Sequence, residues 1–74
     1  MHQVTRTITK GSPERLKAIR YRLDVSQERF ARMLGVATNT VARWERGLLI
    51  PPKVAELAAE YLFLLLTHNE GGKR

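Results

Sequence analysis

Apolar residues recur at helical spacing through most of this chain, and residues that stop helices interrupt them. Leu16, Ile19 and Leu23 lie three and four apart, the period of one face of an α-helix. Ser12 and Pro13 stand before them as an N-cap and a first-turn proline, with Glu14 near the positive helix end. The pattern predicts a first helix over residues 13–23. After Asp24 and Val25, Ser26 offers a second cap with Glu28 close behind it, and Phe30, Ala31 and Leu34 make the apolar face of a second short helix. Gly35 is placed to end that helix at Leu34, because a residue without Cβ takes the left-handed conformation at no steric cost.

Val36 then returns to the core. A third helix is expected from Ala37 or Thr38, with Val41 and Trp44 on its inner side, Thr38, Asn39 and Arg43 on another, and Gly47 as its stop. Residues 48–52 read as a loop whose prolines forbid helix until about Pro52. A fourth amphipathic helix follows from Val54, Leu57, Ala58, Tyr61, Leu62 and Leu65, ending near Leu66 or Thr67. Phe63, Leu64 and Leu66 fill the positions of its last turns that should face water. Surplus apolar surface of that kind marks a surface for a partner or a second copy; the alternative is that the chain's own N-terminal segment wraps it.

The ends differ from this helical middle. Val4, Arg6, Ile8 and Lys10 alternate with threonines, a strand-like period. A single strand is not stable alone, so residues 1–11 are expected to be an arm that pairs with a second copy, reaches across a partner, or stays disordered. Residues 68–74, with Gly71 and Gly72, are expected to be a disordered tail. The domain between them, residues 12–67, is too small for a second core.

Composition narrows the function. The chain has 74 residues and no cysteine, so neither a disulfide framework nor a thiolate metal site is available. The longest apolar run, Tyr61 to Leu66, is far short of the roughly 20 residues that span a bilayer, and the first ten residues lack the apolar segment of a secretory signal. Ten basic and four acidic residues lie between Lys10 and Lys53, which accounts for the whole net charge of +6. Beyond Lys53 the next charges are Glu56, Glu60 and Glu70. One basic part and one acidic part suit a domain that presents a face to a polyanion. No metal-ligand cluster and no nucleophile with a base is visible, and no cofactor or enzymatic activity is expected.

Two short helices joined by a glycine turn form the helix-turn-helix, whose second helix enters the DNA major groove. Ser26, Gln27, Phe30, Ala31, Leu34, Gly35, Val36, Thr40, Val41, Trp44, Glu45 and Gly47 together make the spaced pattern S-Q-x-x-F-A-x-x-L-G-V-x-x-x-T-V-x-x-W-E-x-G. This resembles the lambda-repressor-like, or XRE-like, class of phage repressors and Cro proteins, over roughly Leu16 to Leu62. The resemblance implies an all-α, compact four-helix DNA-binding domain. Two departures stand out. Ala37 occupies the place of a serine or threonine cap, and the chain ends after its fourth helix where many relatives have a fifth used in pairing.

Base reading needs short polar side chains near the N-terminus of the third helix. Thr38 and Asn39 meet that need, and Arg43 follows Asn39 one turn on; the resemblance implies the same three positions. Gln27, at the start of the second helix, is a phosphate candidate that the resemblance supports, and Thr40, Arg46 and Lys53 are further ones. Trp44 reads as core, with an indole N–H that needs an acceptor at the rim. The resemblance further implies that Glu45 bonds Arg20 as a structural ion pair. These readings converge on a sequence-specific DNA-binding transcriptional regulator: a repressor on an inverted repeat, a homodimer, cytoplasmic, prokaryotic or phage-encoded and nucleoid-associated when bound. An antitoxin that represses its own operon with a toxin partner, and a protein-interaction module on the same fold, are the alternatives.

Overall fold

The computed structural model describes residues 10–72, with side chains as far as Thr67. Four helices make up most of it: α1 (Pro13–Leu23), α2 (Gln27–Leu34), α3 (Thr38–Glu45) and α4 (Lys53–Gly72). The expected arm, residues 1–9, lies outside the described residues. Its root does not, because Lys10 forms an isolated antiparallel bridge with Pro52, and the Gly11 N–H donates to the Pro51 carbonyl at 2.7 Å. A Cβ on Gly11 would stand 2.9 Å from the Pro52 carbonyl oxygen, so only glycine allows this close approach of the two backbones.

Local signals place the helix ends. The Ser12 hydroxyl accepts from the Arg15 N–H at 3.2 Å, with Pro13 at the first helical position, and the Ser26 hydroxyl accepts from the Arg29 N–H at 3.0 Å. α1 ends on Asp24, whose φ of 59° puts a non-glycine residue in the left-handed region, which aspartate tolerates better than most. Gly35 ends α2 with φ 77°: its N–H bonds the Arg32 carbonyl, and the Val36 N–H bonds the Ala31 carbonyl at 2.9 Å. This pair of bonds satisfies the last carbonyls of the helix and turns the chain toward α3.

The core gathers Leu16 and Ile19 from α1, Phe30 and Ala31 from α2, Val41 and Trp44 from α3 and Ala59 from α4, with Leu23, Val25, Leu34, Val36, Ala55 and Phe63 packed around them. α2 packs chiefly on α3, and α1 on α4. Burial of this set is what holds α2 and α3, since helices of eight residues do not persist alone in water.

Two expectations for α4 fail. The helix runs on past Thr67 to Gly72; no proline interrupts it, and the Thr67 hydroxyl folds back on the Phe63 carbonyl at 2.7 Å instead of stopping it. Its inner face is also not the expected one. Ala55, Glu56, Ala59, Leu62 and Phe63, with Lys53 and Glu60, are its buried or half-buried positions, whereas Val54, Leu57, Ala58, Tyr61 and Leu65 are exposed. Phe63, expected to face outward, packs on the core and carries the Arg22 guanidinium 5.1 Å from its ring centroid.

The reason is Glu56. Only 3% exposed, it accepts from the Ser12 N–H at 3.0 Å and lies 3.1 Å from Arg15 and 3.2 Å from Lys53. A carboxylate so supplied with donors can be buried, and it draws its own face of α4 against the start of α1.

Candidate nucleic-acid interface

α3 divides its residues cleanly. Val41 and Trp44 are buried, and Thr38, Asn39 and Arg43 are exposed. Asn39 and Arg43 are four apart and so stand one above the other on the same side. Thr38 is the first helical residue and does not cap the helix. Ala37 holds the N-cap position with extended backbone and makes no side-chain bond, so the Thr38 and Asn39 side chains are both free of capping duty. Thr40 is half-buried and Arg46 exposed.

A polar junction fixes this helix against the other two. Arg20 of α1 donates from Nε to Glu45 Oε2 at 2.6 Å and from Nη2 to Glu45 Oε1 at 2.9 Å, a bidentate pair. Its Nη1 donates to the Val25 carbonyl at 2.9 Å, so one guanidinium also ties down the α1–α2 connection. Gln27 adds a third helix: its Nε2 donates to Glu45 Oε1 at 2.9 Å. Burial alone would push the Glu45 carboxyl up, but the hydrogen bonds from Arg20 and Gln27 and the charges of Arg20 and Lys17 outweigh it and hold the group below its ordinary value. Reciprocally, the bond to Glu45 pushes the Arg20 guanidinium up. The carboxylate is therefore ionised at neutral pH, and the junction is a charged one.

Two phosphate candidates are thus engaged within the protein. Gln27 is half-buried with one amide hydrogen on Glu45, and Lys53 bonds Glu56 at 3.2 Å. The Lys53–Glu56 contact has the i,i+3 spacing at which side chains of one helix meet, whereas nothing in sequence spacing signals the Gln27–Glu45 bond, which joins two helices. Trp44 departs from expectation too: it is core, yet among the described residues its buried Nε1 has no hydrogen-bond partner.

The exposed cations on and beside these two helices are Arg29 and Arg32 of α2, Arg43 of α3 and Arg46 just past its end. Arg32 stands 3.6 Å from Glu28 in an exposed pair, worth little in water. Among the described residues Arg29, Arg43 and Arg46 have no carboxylate within salt-bridge distance. α3 therefore presents exposed polar side chains flanked by unneutralised charge, while its own apolar side, Val41 and Trp44, is buried in the core. No helix among the described residues is long and apolar enough to cross a membrane.

Comparison with known proteins agrees with this geometry. A family model described as Helix-turn-helix matches residues 16–67, from the first core residue of α1 to the described end of α4's side chains. No curated protein matches the chain. The family match covers most of the sequence, and the chain belongs to the lambda-repressor-like helix-turn-helix family of DNA-binding regulators.

Proposed function

We propose that this family member is a sequence-specific transcriptional repressor that acts in the cytoplasm as a pair of copies on an inverted-repeat operator, with α3 in the major groove. The observation that carries the reading is the exposure of Thr38, Asn39 and Arg43 on one side of a helix whose opposite side, Val41 and Trp44, is locked in the core. Asn39 can bond an adenine edge through both amide atoms, Arg43 a guanine edge or a phosphate, and Thr38 a thymine methyl or a base-edge acceptor. Thr40 and Arg46 serve as backbone contacts, which set register and affinity rather than sequence preference. Gln27 reaches a phosphate only with the amide atoms that Glu45 leaves free, and Lys53 only in exchange for Glu56. Both therefore rank below Arg46 as phosphate ligands.

Repression is the simplest outcome of such binding, since occupation of a promoter by the domain is enough to exclude polymerase. A two-fold pair would read half-sites about one helical turn, roughly 10 bp, apart.

The test is selection of bound duplexes from a random DNA pool, with Asn39→Ala and Arg43→Ala beside the parent. The parent should enrich an inverted repeat. Each variant should lose discrimination at one position of each half-site, by about 1–3 kcal/mol if its contact is bidentate. Binding without enrichment would refute sequence reading, and no binding at low salt would refute DNA binding altogether, because phosphate contacts strengthen as salt falls.

A further inference from the structure

α1 and α4 part around a groove of about 290 Å³ that no residue of α2 or α3 lines. One wall is a single stripe of α1, Arg15, Ala18, Ile19 and Arg22, at the intervals of three and four that put side chains on one face of a helix. The other wall is Glu60, Phe63 and Leu64 of α4, at the same intervals. Ala18 makes the gap. Its methyl group fills little of the space between the two helices, and the long side chains one turn to either side of it, Arg15 and Arg22, are exposed.

The two ends of the groove differ in charge. At one end Arg15 is answered by Glu60 and Glu56, and Glu56 in turn by Lys53, so two cations and two carboxylates cancel. At the other end the Arg22 guanidinium stands 5.1 Å from the Phe63 ring centroid. Among the described residues it has no carboxylate within salt-bridge distance. Its contact with the ring keeps the planar donor fork over the apolar wall, and its positive charge is the net charge of the groove.

We propose that the groove is a binding site for a small organic monocarboxylate, whose apolar body lies on Ala18, Ile19, Phe63 and Leu64 and whose carboxylate meets Arg22. Charge and size select this occupant. A guanidinium offers a carboxylate two parallel N–H donors. One unanswered cation calls for one anion, and a dianion would set its second charge against Glu60. Liquid water takes about 30 Å³ a molecule, so the groove has room for roughly ten heavy atoms, near the lower limit of ligand pockets. A packed helix, about 10–12 Å across, is too large for it. An extended peptide fits no better, because both walls are helices whose backbone groups bond internally and leave nothing to pair with its amides. The chain itself supplies no substitute. Residues 1–9 contain no carboxylate side chain, and between Val54 and Thr67 the only two, Glu56 and Glu60, are held by Arg15. A second copy laid on the groove with that stretch of α4 would leave Arg22 unanswered.

The experiment is a titration of the isotope-labelled full chain, without DNA, with octanoate and with octanol as its uncharged counterpart, followed by amide resonances in NMR. Octanoate should bind the parent saturably with a Kd below about 1 mM and shift the amides of Ala18, Ile19, Arg22, Phe63 and Leu64. Octanol should bind at least about 10-fold more weakly. Arg22→Gln should weaken octanoate by about 10-fold or more and leave the response to octanol where it was, a split that loss of packing alone does not produce. Ala18→Leu, at an exposed helical position, should weaken both ligands by filling the groove. No saturation by octanoate at about 10 mM, equal affinity for acid and alcohol, or indifference of octanoate to Arg22→Gln overturns the proposal. So do shifts that spread to Leu57 and Tyr61, which are exposed on α4 outside the groove and would report a detergent-like film. The groove shares no residue with the face of Thr38, Asn39 and Arg43, so this site and the DNA-reading proposal fail separately.

Discussion

Replacement of Glu45 by alanine should destabilise the fold by about 3 kcal/mol. The carboxylate accepts two bonds from Arg20, at 2.6 and 2.9 Å, and one from Gln27 at 2.9 Å, with side-chain exposures of 11% for Arg20 and 4% for Glu45. Truncation strands a nearly buried guanidinium whose remaining protein acceptor is the Val25 carbonyl. Removal of one member of a buried ion pair costs about 3–5 kcal/mol. The low end applies because Arg20 keeps that carbonyl and some access to water. A domain of this size has a total stability of roughly 4–11 kcal/mol, so the loss is a large share of it. Thermal unfolding followed by circular dichroism should show a fall of about 12–24 °C, at about 4–8 °C per kcal/mol. Arg20→Met/Glu45→Leu, which strands no charge, should recover more than half of the loss. A fall below about 1 kcal/mol for Glu45→Ala, or a double variant no better than the single, would refute the view that the junction fixes α3.

Two other perturbations test neighbouring parts of the argument. The Glu45 carboxyl is held below its usual value in the fold, so its contribution to stability is complete above its ordinary pKa of 4.5 and is lost as pH falls through that value toward the folded one; urea unfolding from pH 7 down to pH 3 should show the decline, and it should be weaker in Glu45→Gln. Ala37→Ser supplies the acceptor that the α3 N-cap lacks and should raise stability by about 1 kcal/mol in the same assay.

What was legible in the sequence was what neighbours in sequence decide. Ser12 with Pro13, Ser26 and Gly35 each act within four residues of themselves, and they mark the starts of α1 and α2 and the stop of α2 where the structure has them. The split of α3 into buried Val41 and Trp44 and exposed Asn39 and Arg43 follows from period alone. α4 was harder, because a helix with two apolar faces does not say which one its own domain takes. The stripe from Val54 to Leu65 is the stronger pattern, and it lost to a face containing Glu56 because the donors that make that carboxylate tolerable, the Ser12 N–H and Arg15, come from the far end of the chain. The contact that Gln27 makes with Glu45 is hidden from the sequence for the same reason. The residue's position at a helix start suggests a phosphate, and its bond to Glu45 spans eighteen residues.

The uncapped two turns of α3 have a consequence for when the protein can act. A helix of eight residues without an N-cap bond has no independent tendency to form, and its anchors are Val41, Trp44 and Glu45, each of which also holds another helix. Its local melting free energy therefore converges on that of the whole domain. Opening fluctuations that release the reading surface are global ones, rare and all-or-none. The exposed face of Thr38, Asn39 and Arg43 is then kept only as long as the fold is, and a ligand bound to the native form alone opposes unfolding by mass action. Presentation of that face and cooperative folding are in this chain a single equilibrium, which temperature and any ligand of the native form shift in opposite directions.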